Sequence, residues 1–165
     1  MSTNNRPLIG KWNMYYHLPH DKQWDLSSYK IIMEDIDTVD KLIALNEKLP
    51  DNAIKFCMLF VMRNGITPLW EDPLNRTGGC FSFKVINKDV PSVWRNLMYA
   101  LCGETLFSDT KTHDYVNGIT ISPKKSFCII KIWLKGCGMQ DPRIIIPIMG
   151  LPKEGCLFKK HEPEF

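Results

Sequence analysis

The stretch Gly65-Ile66-Thr67-Pro68-Leu69-Trp70-Glu71-Asp72 sets a large aromatic side chain beside two carboxylates. Asn64-Gly65, Pro68, Pro73 and Gly78-Gly79 mark its surroundings as a loop. A tryptophan exposed on a loop is unfavourable unless it meets another surface. Taken alone, Trp70 reads as a plug of the core, with Glu71 and Asp72 solvated. A second loop tryptophan, Trp24 in Gln23-Trp24-Asp25, changes that balance. Two such residues with acids beside them suit a flat, positively charged ligand that donates hydrogen bonds. The indole faces would supply stacking and cation–π attraction, and a carboxylate would accept the donors. Glu71 and Asp72 also have the make-up of a general-acid pair, but adjacent loop positions rarely converge on one substrate atom. No nucleophile–base pair and no Gly-rich phosphate loop accompanies them. The chemistry indicated is binding rather than catalysis, with no cofactor.

The bulk properties agree with a single domain over residues 1–165. A chain of this length can bury a core without staples. The net charge of +3 permits an anionic partner without demanding one. With no Lys/Arg tail or charge block, non-specific coating of nucleic acid is not expected. The opening residues are polar and unlike a signal peptide. No window approaches the ~20 apolar residues of a membrane span; residues 143–149 are short and carry Pro147. A soluble, cytoplasmic monomer is the expectation. The six cysteines form no Cys-x-x-Cys pair, so free buried thiols are expected and no metal site. His17 and His20 lack a second ligand pair and read as surface-loop residues.

These residues need elements to position them. Residues 11–17 alternate as a strand, and residues 29–36 form a second one. Asp37 reads as the N-cap of a helix over 38–48, with Asp40 in the capping-box position. Val39, Leu42 and Ile43 keep near-helical spacing, and Pro50 helps stop the helix. Residues 55–62 and 80–86 read as strands. An amphipathic helix over 89–102 has Pro91 in its first turn and Gly103 just past its end. Residues 117–122 and 127–135 form a hairpin around Pro123-Lys124-Lys125. Asp141-Pro142 opens a short third helix ending near Gly150, and residues 156–160 form a last strand. The pattern predicts an α+β fold: a curved antiparallel sheet of about seven or eight strands, with about three helices on its convex face and the ligand site on the concave one.

At this point the sequence resembles the eukaryotic translation initiation factor 4E family, the mRNA cap-binding proteins. The resemblance runs in order over nearly the whole chain. It includes Arg6-Pro7-Leu8, Trp12, Trp24, Asp37-Thr38-Val39, Leu59-Phe60, Gly65-Ile66-x-Pro68-x-Trp70-Glu71-Asp72, Asn75, Gly78-Gly79, Trp94, Gly103-Glu104, Asn117-Gly118 and Ile130-x-Ile132-Trp133. It implies that Trp24 and Trp70 sandwich the cationic 7-methylguanine ring of capped mRNA. Glu71 would accept from the Watson–Crick edge, the Trp70 backbone N–H would meet oxygen 6, and Trp133 would touch the methyl group. Phosphate binding would fall to Lys124, with Lys125 as its substitute. Lys131 is a further candidate, two residues before Trp133 on the same strand face. Ile129 stands where the family carries a lysine, and Cys80 where it carries an arginine.

The resemblance also implies a partner surface for a factor 4G-like scaffold or repressor with a helical Tyr-x-x-x-x-Leu-hydrophobic motif. Pro7, Leu8, Val39, Ile43, Arg95 and Asn96 fall on it. Ile43 replaces a family tryptophan, and Arg95-Asn96 replaces Leu-Glu, so a charge is expected where apolar side chains should land. The alternative function is a protein-interaction module of the same fold that represses translation or has lost cap binding.

Overall fold

The computed structural model folds the strand segments into one sheet. It describes residues 5–161; the ends of the expected domain, 1–4 and 162–165, lie outside the described residues. The strands are β1 (Pro7–His17), β2 (Tyr29–Thr38), β3 (Met58–Arg63), β4 (Gly79–Ile86), β5 (Val116–Pro123), β6 (Phe127–Leu134) and β7 (Leu157–Lys160). They pair in the order β2-β1-β3-β5-β6-β4-β7, and every pairing is antiparallel. The sheet is curved, and the fold is α+β as expected.

Three helices complete the core: α1 (Val39–Lys48), α2 (Asp51–Phe56) and α3 (Val90–Cys102). α3 buries Val90, Val93, Trp94, Leu97, Met98 and Leu101, a stripe at helical spacing. The stripe packs with one set of sheet residues, including Trp12, Val61, Ile119, Phe81 and Ile130. The alternate residues face away from the helices, where Met62, Cys80 and Trp133 form a second, smaller cluster.

Several boundaries differ from the sequence reading. The N-cap of α1 is Thr38, whose side chain accepts from the Lys41 N–H at 3.3 Å. Asp37 instead pairs with the Lys41 ammonium at 2.8 Å. The strand expected from residue 55 starts at Met58, because residues 51–56 form α2. Pro50, read as a stop for α1, is also the N-cap of this next helix. The helix expected over 141–150 is a single 3-10 turn, Pro142–Ile144, because Pro147 has no N–H to carry it on. Gly103 has an ordinary φ of −78. At this helix end the left-handed residue is Glu104, with φ 57, held by Arg63 at 2.6 Å. The six cysteines are free.

The expectation for Arg95 is corrected most. It does not project a bare charge from α3. Its guanidinium donates to the Asn46 and Leu49 carbonyls at 3.2 and 2.8 Å and pairs with Asp51 at 2.7 Å. Asn46 returns a hydrogen bond to the Arg95 carbonyl at 3.1 Å. Arg95 therefore caps the C-terminus of α1, satisfying carbonyls that have no partner within the helix. Removing a donor from such carbonyls costs ~1–3 kcal/mol. Arg95→Leu should lower the unfolding free energy by about that amount in a urea titration; an unchanged midpoint would show that the cap contributes nothing.

Candidate ligand site on the open face of the sheet

The loop between β3 and β4 carries Trp70 and Glu71, and it is held from within. The Asp72 carboxylate accepts from the Thr67 N–H and hydroxyl at 2.8 and 2.6 Å, and from the Leu74 N–H at 2.9 Å. Burial raises the Asp72 pKa, but the hydrogen bonds from Thr67 and Leu74 outweigh it and leave the carboxyl below its ordinary value. Asn75 is fully buried and donates to the Thr67 and Leu69 carbonyls at 3.1 and 2.8 Å. Asn117, on β5, donates to the Leu74 carbonyl at 2.8 Å and to Asn75 Oδ1 at 2.9 Å. These bonds brace the loop without a regular element. Trp70 rests against the small cluster of Met62, Cys80 and Trp133. Glu71 stays exposed and takes part in no ion pair among the described residues.

Trp24 has a different support. Its indole, 49% exposed, stacks on the His17 imidazole with centroids 3.9 Å apart and planes 3° from parallel. His17, expected on a surface loop, is fully buried at the end of β1; the aromatic stack and the following loop cover it. Its Nδ1 lies 2.9 Å from the Leu18 carbonyl. Its Nε2 lies 2.7 Å from the Gln23 carbonyl and 3.1 Å from the Ser28 hydroxyl. Tyr29 packs edge-on against His17 and Phe60, with centroids 5.1 and 5.0 Å apart. One ring thus ties both ends of the loop and backs the indole. His20, by contrast, is exposed.

These supports meet at one cavity of about 440 Å³. Its walls include Trp24, Trp70, Glu71, Trp133 and Lys131, together with Tyr29, Phe60 and Thr120. Trp133 is mostly buried, its indole N–H donates to Thr120 Oγ1 at 3.2 Å, and His161 lies 4.7 Å away, tilted by 47°. Burial, then the charge of Lys131, pushes the His161 pKa down to about 4. Burial raises the Cys80 thiol pKa, while Lys131 and Lys159 act in the opposite direction. Tyr29 is pushed up to about 12 by burial and then by the charge of Glu71. Lys124 and Lys125 do not line the cavity; they stand exposed in the β5–β6 turn. His17, Tyr29 and Lys159 were missed in the sequence. Lys159 becomes visible only through its register opposite Cys80.

The expected partner residues lie on the helical side. Val39 and Ile43 are half-buried on α1, and Asn96 is exposed on α3. Pro7 is exposed and Leu8 half-buried where β1 meets the start of α1, with the Val39 N–H donating to the Arg6 carbonyl at 2.9 Å.

A curved sheet with helices on one face and an aromatic cavity bearing a carboxylate on the other defines a class of small-ligand-binding protein. The family model for eukaryotic initiation factor 4E matches residues 7–161, and the chain belongs to that family. It is 29% identical over 153 residues to eukaryotic translation initiation factor 4E of Saccharomyces cerevisiae, covering 90% of this chain and 69% of the yeast protein. With the Candida glabrata factor it shares 27% identity over 139 residues, covering 81% of this chain and 65% of that protein. A factor 4E homolog of Acanthamoeba polyphaga mimivirus is 42% identical over 62 residues, 38% of this chain and 23% of that protein. The structure of Ascaris suum eIF4E-3 with m7G cap matches with a TM-score of 0.71 and 20% identity, covering 81% of this chain and 76% of that one. That of Schistosome eIF4E with m7GpppG and 4E-BP matches with a TM-score of 0.72 and 21% identity, over 82% and 75%. These structural likenesses show the fold. Among the described residues no helix is long and apolar enough to cross a membrane.

The His17 contacts make a ligand-independent prediction. His17→Phe keeps a ring behind Trp24 but removes the ring N–H from whichever of the Leu18 and Gln23 carbonyls it serves, at ~1–3 kcal/mol if that carbonyl stays buried. Hydrogen exchange across residues 18–28 should quicken about tenfold or more, by the rule of 1.4 kcal/mol per decade. Unchanged protection would mean that the hydrogen bonds do not hold the loop.

Proposed function

We propose that this chain binds the 7-methylguanosine cap of mRNA, as a binder and not a catalyst, and acts in cytoplasmic translation initiation or its control. The observation that carries this reading is the convergence of Trp24, Trp70 and Glu71 on one cavity from two separately braced loops. Methylation at nitrogen 7 gives guanine a delocalised positive charge. Stacking on each indole is worth ~1–3 kcal/mol, and the cationic part of that attraction is lost for unmethylated guanine. Glu71, exposed and unpaired, accepts from nitrogen 1 and the exocyclic amine, which selects guanine. Trp133 closes the methyl side. Lys131, on the cavity wall, meets the cap phosphates, and Lys124 and Lys125, in the turn outside the cavity, meet phosphates that lie beyond them. Cys80 supplies no charge, so the lysines carry that task without the family's arginine.

The two neighbouring acids separate this reading from a general acidic patch. Glu71→Gln turns an amide nitrogen towards a guanine donor and should weaken cap-analogue binding by ~1–3 kcal/mol. Asp72→Asn should act through the loop: its amide faces the Leu74 or Thr67 N–H, so the main effect is on stability. Fluorescence titration and thermal melting of both variants check this. Equal, mild losses of affinity would remove Glu71 as the guanine reader.

On the helical side we propose a partner of non-standard motif, a factor 4G-like scaffold or a repressor. Arg95 is occupied by α1 and Asp51, which leaves Ile43 as the main departure. A lost aromatic hot spot costs ~2 kcal/mol, about thirtyfold in affinity. Calorimetry with a standard Tyr-x-x-x-x-Leu-hydrophobic peptide should show weak binding that Ile43→Trp strengthens. Sub-micromolar binding by the natural chain would contradict this.

A further inference from the structure

Beyond the cavity, the open face of β6 continues from Trp133 and Lys131 to Ile129 and Phe127. These four alternate with Cys128, Ile130, Ile132 and Leu134, which lie in the core. On one side, Lys131 pairs in register with Ser82, Ile129 with Lys84 and Phe127 with Ile86. On the other, Lys131 pairs with Thr120 and Ile129 with Ser122. Ser122 and Lys131 are walls of the cavity, so the strip is continuous with it. At ~3.4 Å per residue, Phe127 lies roughly 20 Å along the strand from Trp133.

The far end of the strip combines one half-buried ring with several cations. Lys84 Nζ sits 4.3 Å from the Phe127 ring centroid. Lys124 and Lys125 stand exposed in the adjoining turn, where the Lys124 N–H donates to the Phe127 carbonyl at 2.8 Å. None of Lys84, Lys124, Lys125 and Lys131 has a carboxylate partner among the described residues. Asp89 shares a separate hollow with Lys84 and Ile86 without an ion pair to Lys84. Single-stranded nucleic acid is held by this combination: aromatic faces for bases, and unneutralised cations for the backbone.

We propose that RNA following the cap runs along β6, with a leading base stacked on Phe127 and phosphodiesters meeting Lys84, Lys124 and Lys125. This deepens the cap reading and rests on it. The arriving base takes the ring face now covered by the Lys84 ammonium, and that ammonium moves to a phosphate. A bare cap nucleotide is too short to reach this end, whereas a capped oligonucleotide gains from it. Because bases stack with little regard to sequence, the gain is largely independent of which nucleotides follow.

The test compares 7-methylguanosine triphosphate, a 7-methylguanosine-capped tetranucleotide and the same tetranucleotide uncapped, at fixed salt, on the natural chain. The capped oligonucleotide should bind about tenfold tighter than the cap nucleotide, and the uncapped one much more weakly than either. Lys84→Ala with Phe127→Ala should abolish the gain while leaving affinity for the cap nucleotide unchanged. Phe127→Tyr, which keeps the ring, should keep the gain, and melting curves check that each variant folds. Equal affinity for cap nucleotide and capped oligonucleotide, or a gain untouched by the double substitution, overturns the track and leaves the cap reading standing. An uncapped oligonucleotide binding as tightly as the capped one also overturns it. No binding of cap nucleotide by the natural chain overturns the cap reading and the track together.

Discussion

The β3–β4 loop can present Trp70 and Glu71 because Asp72, Asn75 and Asn117 brace its backbone from within. A loop of this length over a sheet exposes many N–H and C=O groups that would otherwise seek water or fold the loop back on itself. Asp72, Asn75 and Asn117 absorb several of them through hydrogen bonds to Thr67, Leu69 and Leu74. Two of these three polar residues are buried, which is favourable only when every donor finds an acceptor. The outward residues are then left without structural duties. Glu71 is available as an acceptor for the same reason that Asp72 is not.

The other wall follows the same logic with different chemistry. Trp24 sits on a loop with little regular structure, and it is the buried His17 ring that fixes where the indole faces. Stacking occupies one face of the indole, and the other remains for a ligand. The sheet makes both walls possible. Successive residues of a strand point to opposite faces, so the helices can take one face for the core while the other keeps Phe60, Thr120, Lys131 and Trp133 in reach of the cavity.

What could be read in the sequence follows from how local each signal is. The sheet, α1 and α3 were legible because period-two and helical spacing persist over many residues, as in Val90, Val93, Trp94, Leu97 and Met98. α2 was not, since six residues are too few for a periodicity to show. The loop tryptophans and Glu71 were legible because aromatics and acids among turn residues are unusual. His17 was not: its partners, Gln23 and Ser28, are brought to it by the fold, and a lone histidine has no spacing to read. Arg95 was misread for a related reason. Its place on α3 was apparent, but the carbonyls it caps belong to another helix.

The proposed site holds a positively charged guanine between indoles with a carboxylate on its edge. Calorimetric titration of the natural chain with 7-methylguanosine triphosphate and with GTP, in one buffer, tests it most directly. The two ligands share the carboxylate contact and the phosphates and differ in the cationic part of the stacking. The methylated nucleotide should bind clearly tighter, by about tenfold or more for ~1–2 kcal/mol of cation–π attraction. Equal affinities would contradict it.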